Sequence, residues 1–206
     1  GLRWLNLDNK AIIIGLTGQT GAGKTTVANE LKSKDRLVID ADVVARNVVK
    51  PGSKCLEILS LEFGDDICYP DGSLNRLLLS QRAFSNKVNT NKLNEITHPF
   101  IVKEISNIIE NNSLKYRIII IDAPLLIESG LNKICKTVIS VVAPREIRLK
   151  RIINRDKITK IDAEKRINSQ KDEDFYRKNS SYVLDGSLDK KALLKKATEL
   201  IDKVGV

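Results

Sequence analysis

Eight consecutive residues, Gly18-Gln19-Thr20-Gly21-Ala22-Gly23-Lys24-Thr25, set backbone amides, one ammonium and one hydroxyl at the spacing that surrounds a polyphosphate. They fit the pattern G-x-x-x-x-G-K-[ST], and Thr26 follows as a further binding residue. The glycines Gly18, Gly21 and Gly23 let the chain curl so that successive N–H groups, Ala22's among them, turn toward phosphate oxygens. Lys24 reaches the β- and γ-phosphates, and the Thr25 hydroxyl suits Mg²⁺. The loop then opens a helix whose N-terminal dipole favours the same anion. A nucleoside triphosphate carried with Mg²⁺ is the ligand these residues imply.

The flanking pattern supplies the elements that such a loop needs. Ala11-Ile12-Ile13-Ile14 is a short β-branched run, as a buried parallel strand should be. Val27, Ala28 and Leu31 fall on one helix face beyond the loop. Strand-like and helix-like segments go on alternating, the pattern of a parallel sheet covered by helices. Leu37-Val38-Ile39 reads as a second strand ending at Asp40-Ala41-Asp42, and helical periodicity runs from Val43 to Val49 until Pro51-Gly52. Residues 53–112 hold no convincing strand and read as helices punctuated by Phe63-Gly64, Pro70-Asp71-Gly72 and His98-Pro99, with Ser73 as an N-cap.

The sheet resumes at Arg117–Asp122 and at Thr137–Val142. A basic helix follows from about Arg145 to Arg155. A second opens near Thr159-Lys160-Ile161-Asp162, a capping box with Asp in place of Glu, and carries Arg166 and Gln170. Tyr182-Val183-Leu184 reads as the last strand and Leu188–Lys203 as the closing helix. Ligands of open sheets gather at the carboxyl ends of strands. Gly15 to Lys24, Asp40 to Asp42, and Asp122 onward all lie at such ends, so three of them are expected to converge.

Composition excludes several classes. No apolar run approaches the ~20 residues that span a membrane, and Gly1 to Lys10 has no long apolar h-region, so neither a membrane helix nor a secretory signal is expected. Three cysteines without a C-x-x-C pair, and a single histidine, argue against a disulfide framework or a zinc site and for a reducing cytoplasm. The net charge of +9 raises a nucleic-acid reading, since residues 145–160 hold seven basic side chains against Glu146 and Asp156. The same stripe can close over a nucleotide polyphosphate. With only 4% aromatics there is no basic–aromatic interleaving of a base-stacking platform, and no nucleic-acid partner is expected. A guanine-reading N-K-x-D is also missing from the sequence.

An ordered set of further segments resembles the dephospho-coenzyme A kinase family, from about Ile12 to Ile201. These are Gly15-Leu16-Thr17-Gly18, Ile39-Asp40-Ala41-Asp42 with Ala45-Arg46, Pro51-Gly52, Phe63-Gly64, Gly72-Ser73-Leu74-Asn75-Arg76 with Phe84, His98-Pro99, and Pro124-Leu125-Leu126-Ile127-Glu128. Late in the chain Arg151, Arg155, Arg166 and Gln170 fall where the family has its basic lid. The resemblance implies an α/β fold: a P-loop nucleoside-kinase-like parallel sheet flanked by helices, with an inserted helical substrate-binding part and a basic helical lid. The expected domain covers 11–206, with its core in 11–45, 116–145 and 180–206, the coenzyme A-binding insertion at about 46–115, and the lid at about 146–179.

The activity implied is ATP- and Mg²⁺-dependent phosphorylation of the ribose 3′-hydroxyl of dephospho-coenzyme A, the last step of coenzyme A synthesis. The enzyme is expected to be a cytoplasmic monomer or weak homo-oligomer. On this reading Asp42 orients or deprotonates the acceptor hydroxyl, with Asp40 as its partner or substitute; equally, one of the pair caps the next helix. Lys24 and Arg151 neutralise charge on the transferred group, Arg155 and Arg166 add lid contacts, and Asp122 is the metal-linked acid or a strand-end cap. Thr17, Arg46, Arg76, His98, Leu125 and Glu128 are substrate-side candidates. Two departures stand out. Ser180-Ser181 replaces the family's Ala-Asp pair, and Asp185-Gly186 stands where an Asn is expected, which bears on how adenine is recognised. A nucleoside monophosphate kinase would share the P-loop, insertion and lid.

Overall fold

The computed structural model describes residues 11–205; the expectation about Gly1 to Lys10 falls outside them, as does Val206. Two compact units form, one from the chain up to Ile39 and from Asn112 onward, the other from Asp40–Asn111. In the first, β1 (Ile12–Gly18) leads through the glycine loop into α1 (Lys24–Glu30), and β2 (Arg36–Asp40) follows. The second unit holds α2 (Ala41–Asn47), α3 (Lys54–Phe63), α4 (Arg76–Ala83) and most of α5 (Lys87–Asn112). The chain then adds β3 (Ile118–Asp122), β4 (Thr137–Val142), α6 (Arg145–Asp156), α7 (Lys160–Asn168), α8 (Glu173–Lys178), β5 (Tyr182–Asp185) and α9 (Lys190–Val204).

The five strands order as β2-β3-β1-β4-β5, and β1 pairs in parallel with both β3 and β4. Every residue of β3 is buried, which is why its isoleucine run needs no polar alternation. Ile14, Leu16, Ile118, Ile120, Ile139 and Val141 pack with Val27, Ala28 and Leu31 of α1 and with Leu193, Ala197 and Ile201 of α9. The alternation of strand side chains makes these one face of the sheet. Ile120 is fully buried there. Its replacement by alanine is expected to cost about 2–5 kcal/mol in urea unfolding at unchanged m; a loss under about 1 kcal/mol would contradict this placement.

The first strand runs four residues further than its β-branched run. Tertiary pairing extends it: Thr17 and Gly18 register with Ser140 and Val141, and the Gln19 amide donates to the Val141 carbonyl at 3.1 Å. The second unit has its own core of Val49, Cys55, Leu59, Phe63, Ile67, Leu79 and Ala83. The expected break at His98-Pro99 does not occur, because α5 continues through Pro99. Leu93, Ile96 and Phe100, on either side, pack on this core and hold the helix across the missing N–H.

Ser73 is not an N-cap. It turns back on Asp71, and Asn75 caps α4 by accepting from the Leu78 amide at 3.1 Å. Thr159 does cap α7, but its hydroxyl donates to the Asp162 carboxylate instead of leaving that group to the backbone. Gln170 lies past the end of α7 rather than on it, and α8 is a helix that the sequence periodicity does not predict. Leu149 and Ile152 of α6 pack on Ala163 and Ile167 of α7, joining the two basic helices as a hairpin.

Candidate functional site

The loop between β1 and α1 has the curl its glycines require. Gly21 and Gly23 take left-handed backbone, φ 78° and 108°, and Gly23 is the residue that starts α1. A side chain on Gly21 would stand 2.9 Å from the Arg148 carbonyl, so α6 lies directly against the loop. The Ala22 amide donates to the Gln19 carbonyl, and the Thr20 amide donates to Gln170 Oε1 at 2.8 Å. Amides at the opening of α1 have no acceptor within the helix and are therefore available to an anion.

Lys24 Nζ pairs with Asp122 Oδ1, joining the start of α1 to the carboxyl end of β3, with 14% and 11% of the two side chains exposed. The lysine is thus held beside the loop by a strand-end acid. Thr25 is exposed one residue on. Its hydroxyl and the Asp122 carboxylate are hard oxygen donors of the kind Mg²⁺ takes. Among the described residues no group of three His, Cys, Asp or Glu side chains gathers, so such an ion would draw its other ligands from phosphate and water. The donor set fits Mg²⁺ arriving with a nucleotide.

The arginines of the basic hairpin are engaged in different ways. Arg151 Nη1 donates to the Gly186 carbonyl at 2.8 Å and lies 3.3 Å from the carbonyls of Gly21 and Ala22. Arg155 forks onto Asp156, and Arg166 Nη1 donates to the same carboxylate at 2.5 Å. These contacts hold the Asp156 carboxyl below the usual range, Arg155 first and Arg166 in addition. Arg148 was not singled out in the sequence, yet it is 94% buried and its Nε and Nη1 have no hydrogen-bond partner. Burial, then Arg145, holds its pKa below the ordinary arginine value, with Tyr176 and Glu173 opposing. The available signal was helical phase, since Arg148 precedes the buried Ile152 by one turn.

On the substrate side, Thr17 is fully buried and its hydroxyl donates to the Pro124 carbonyl at 3.1 Å. Leu125 is exposed, as is Glu128. Burial, and next the Glu128 carboxylate, push the Tyr176 phenol up to about 12.

In the second unit Asp40 accepts from the amides of Asp42 and Val43 at 2.9 and 3.2 Å and so caps α2. Asp42 is exposed in the first turn. Arg76 Nη2 reaches the Arg46 carbonyl at 3.4 Å. His98 is half-buried on α5, and burial pushes its imidazole pKa down.

The two departures near the end of the chain have clear places. Ser181 opens β5, its amide donating to the Val138 carbonyl at 2.8 Å. Gly186 is buried against the loop at Ala22.

A family model described as dephospho-CoA kinase matches residues 12–191. A dephospho-CoA kinase of Corynebacterium diphtheriae is 39% identical over 91% of this chain and 94% of its own length. Among solved structures, a Thermus thermophilus protein superposes with a TM-score of 0.78 at 26% identity, covering 94% of this chain and 97% of its own. A dephospho-CoA kinase from Campylobacter jejuni shares the fold, with a TM-score of 0.63 at 22% identity over 93% and 96% of the two chains.

Proposed function

This chain belongs to the dephospho-CoA kinase family, and on that premise we propose that it transfers the γ-phosphate of ATP to the ribose 3′-hydroxyl of dephospho-coenzyme A, forming ADP and coenzyme A. The observation that carries the reading is the pairing of Lys24 with Asp122 beside the curled loop, in a chain matched by the family over 12–191. Phosphoryl transfer asks a protein chiefly for positioning and for positive charge where oxygens gain negative charge. The amides of Gly21 and of Gly23 to Thr26 cradle the donor phosphates, the Ala22 amide being turned back onto the Gln19 carbonyl instead of toward phosphate as its motif position suggests, and Lys24 bridges the β- and γ-oxygens. When bound, Mg²⁺ supplies further charge neutralisation, and Thr25 and Asp122 are the residues that would hold it.

Asp42 takes the role of orienting the acceptor hydroxyl and accepting its proton. Both acids are exposed, and what supports that division of labour is that Asp40 Oδ1 is occupied as the cap of α2, receiving the Asp42 and Val43 amides. Arg46, Arg76 and His98, with Leu125 and Glu128, are assigned to the acceptor; Thr17 does not belong to that set, because it is fully buried and its hydroxyl is spent on the Pro124 carbonyl. Arg155 and Arg166 belong to a basic lid that closes over the donor. The reaction is assigned to a reducing, cytoplasmic setting: all three cysteines are unpaired, and burial lifts the thiols of Cys55 and Cys135 to about 11 and 12. No helix among the described residues is long and apolar enough to cross a membrane.

The test is ADP release with ATP and Mg²⁺ in the presence of dephospho-coenzyme A, of nucleoside monophosphates, or of DNA or RNA. Selective stimulation by dephospho-coenzyme A is expected. Stimulation by a monophosphate or a nucleic acid instead would overturn the reading.

A further inference from the structure

Gly186 and Arg151 sit on the outer side of the glycine loop and meet its carbonyl groups rather than its amides. A side chain on Gly186 would lie 1.9 Å from the Ala22 carbonyl oxygen, which is main chain and cannot swing aside. The turn after β5 therefore passes within backbone contact of the loop, and only glycine permits that approach. The Gly186 amide donates to the Val142 carbonyl at 2.8 Å, fixing the turn to the end of β4. Asp185 receives both the amide and the hydroxyl of Ser187, which stiffens the same turn. Arg151 then spans the junction, its Nη1 shared among the carbonyls of Gly21, Ala22 and Gly186.

We infer that Arg151 and Gly186 form a clasp that positions the phosphate loop, with Arg151 acting through the carbonyls of Gly21 and Ala22. The chemistry follows from the peptide unit. Fixing a carbonyl fixes the plane of its peptide, and with it the direction of the next amide. The Ala22 carbonyl is joined to the Gly23 amide, and the Gly21 carbonyl to the Ala22 amide that closes the loop onto the Gln19 carbonyl, so the clasp aims the first and braces the curl through the second before any nucleotide arrives. Arg151 is on this view a positioning residue. Its guanidinium suits the task because it is rigid, planar and always charged; lysine offers a single rotating ammonium.

The inference rests on the proposed donor site, and it is tested without turnover. Hydrogen exchange is followed in the ligand-free enzyme over a peptide covering Gly18 to Thr25, for the wild type, Arg151→Gln, Arg151→Lys and Gly186→Ala. The clasp predicts exchange at least tenfold faster in Arg151→Gln, a smaller increase in Arg151→Lys, and faster exchange in Gly186→Ala as well, since the added methyl must push the turn off the loop. ADP binding should weaken about tenfold in Arg151→Gln, although ADP carries no transferable phosphoryl group. Arg151→Gln with wild-type exchange in the ligand-free loop overturns the inference, because a residue that meets only the nucleotide leaves that loop unchanged. Wild-type ADP affinity in Arg151→Gln overturns it as well. Both readouts stand even if dephospho-coenzyme A proves not to be the acceptor, so failure of the clasp and failure of the substrate assignment are separable.

Discussion

Lys24→Ala is expected to reduce turnover by at least about 10³-fold, equivalent to roughly 4 kcal/mol of transition-state stabilisation. The ammonium is the one side-chain cation that the motif places on the β- and γ-phosphates, and Asp122 holds it in position. The substitution also leaves a mostly buried carboxylate short of its ion pair. That should cost on the order of 1–3 kcal/mol of stability, which a core of this size withstands. The check is steady-state ADP release beside a thermal melt. A cooperative melt within several degrees of wild type, together with lost turnover, is the expected pair of results. Turnover within tenfold of wild type would contradict the role given to Lys24.

Asp42→Asn is expected to lower kcat by about 10²–10⁴-fold while the KM for ATP stays within about twofold. Asparagine keeps the size and polarity of the side chain and removes its capacity to take a proton. Since Asp42 is exposed, its melting temperature should not move. Asp40→Ala gives the contrasting pattern. It removes the cap that receives the Asp42 and Val43 amides, so about 1 kcal/mol of stability goes while more of the chemistry survives. Equal kcat losses in Asp40→Asn and Asp42→Asn would mean that both acids touch the acceptor, and normal turnover by Asp42→Asn would remove it from the mechanism.

Local sequence made some of this legible and concealed the rest for identifiable reasons. The donor loop could be read because its chemistry constrains both residue type and spacing over eight consecutive positions. The isoleucine strand ending at Asp122 could be read because a strand buried on both faces leaves an unbroken apolar run. That Lys24 and Asp122 approach each other could be read from their places beyond strand ends, but their direct pairing was not legible, since nothing local states that β1 and β3 are neighbours.

Helix punctuation failed at Pro99, where packing of the flanking apolar residues outweighs one lost hydrogen bond. It failed at Ser73 because Asn75 stood two residues later, with its side chain in reach of an amide. The six residues of α8 make fewer than two turns, too few to display a period. The burial of Arg148 and the approach of Gly186 to Ala22 are tertiary facts, invisible to any reading that treats charge as surface and glycine as turn.

The most direct measurement is ³¹P NMR of the products formed from ATP, Mg²⁺ and dephospho-coenzyme A. The account predicts one new phosphomonoester on the 3′ position of the ribose, appearing in step with ADP and absent with Lys24→Ala. Inorganic phosphate in its place, or a phosphate on any other hydroxyl, would contradict it.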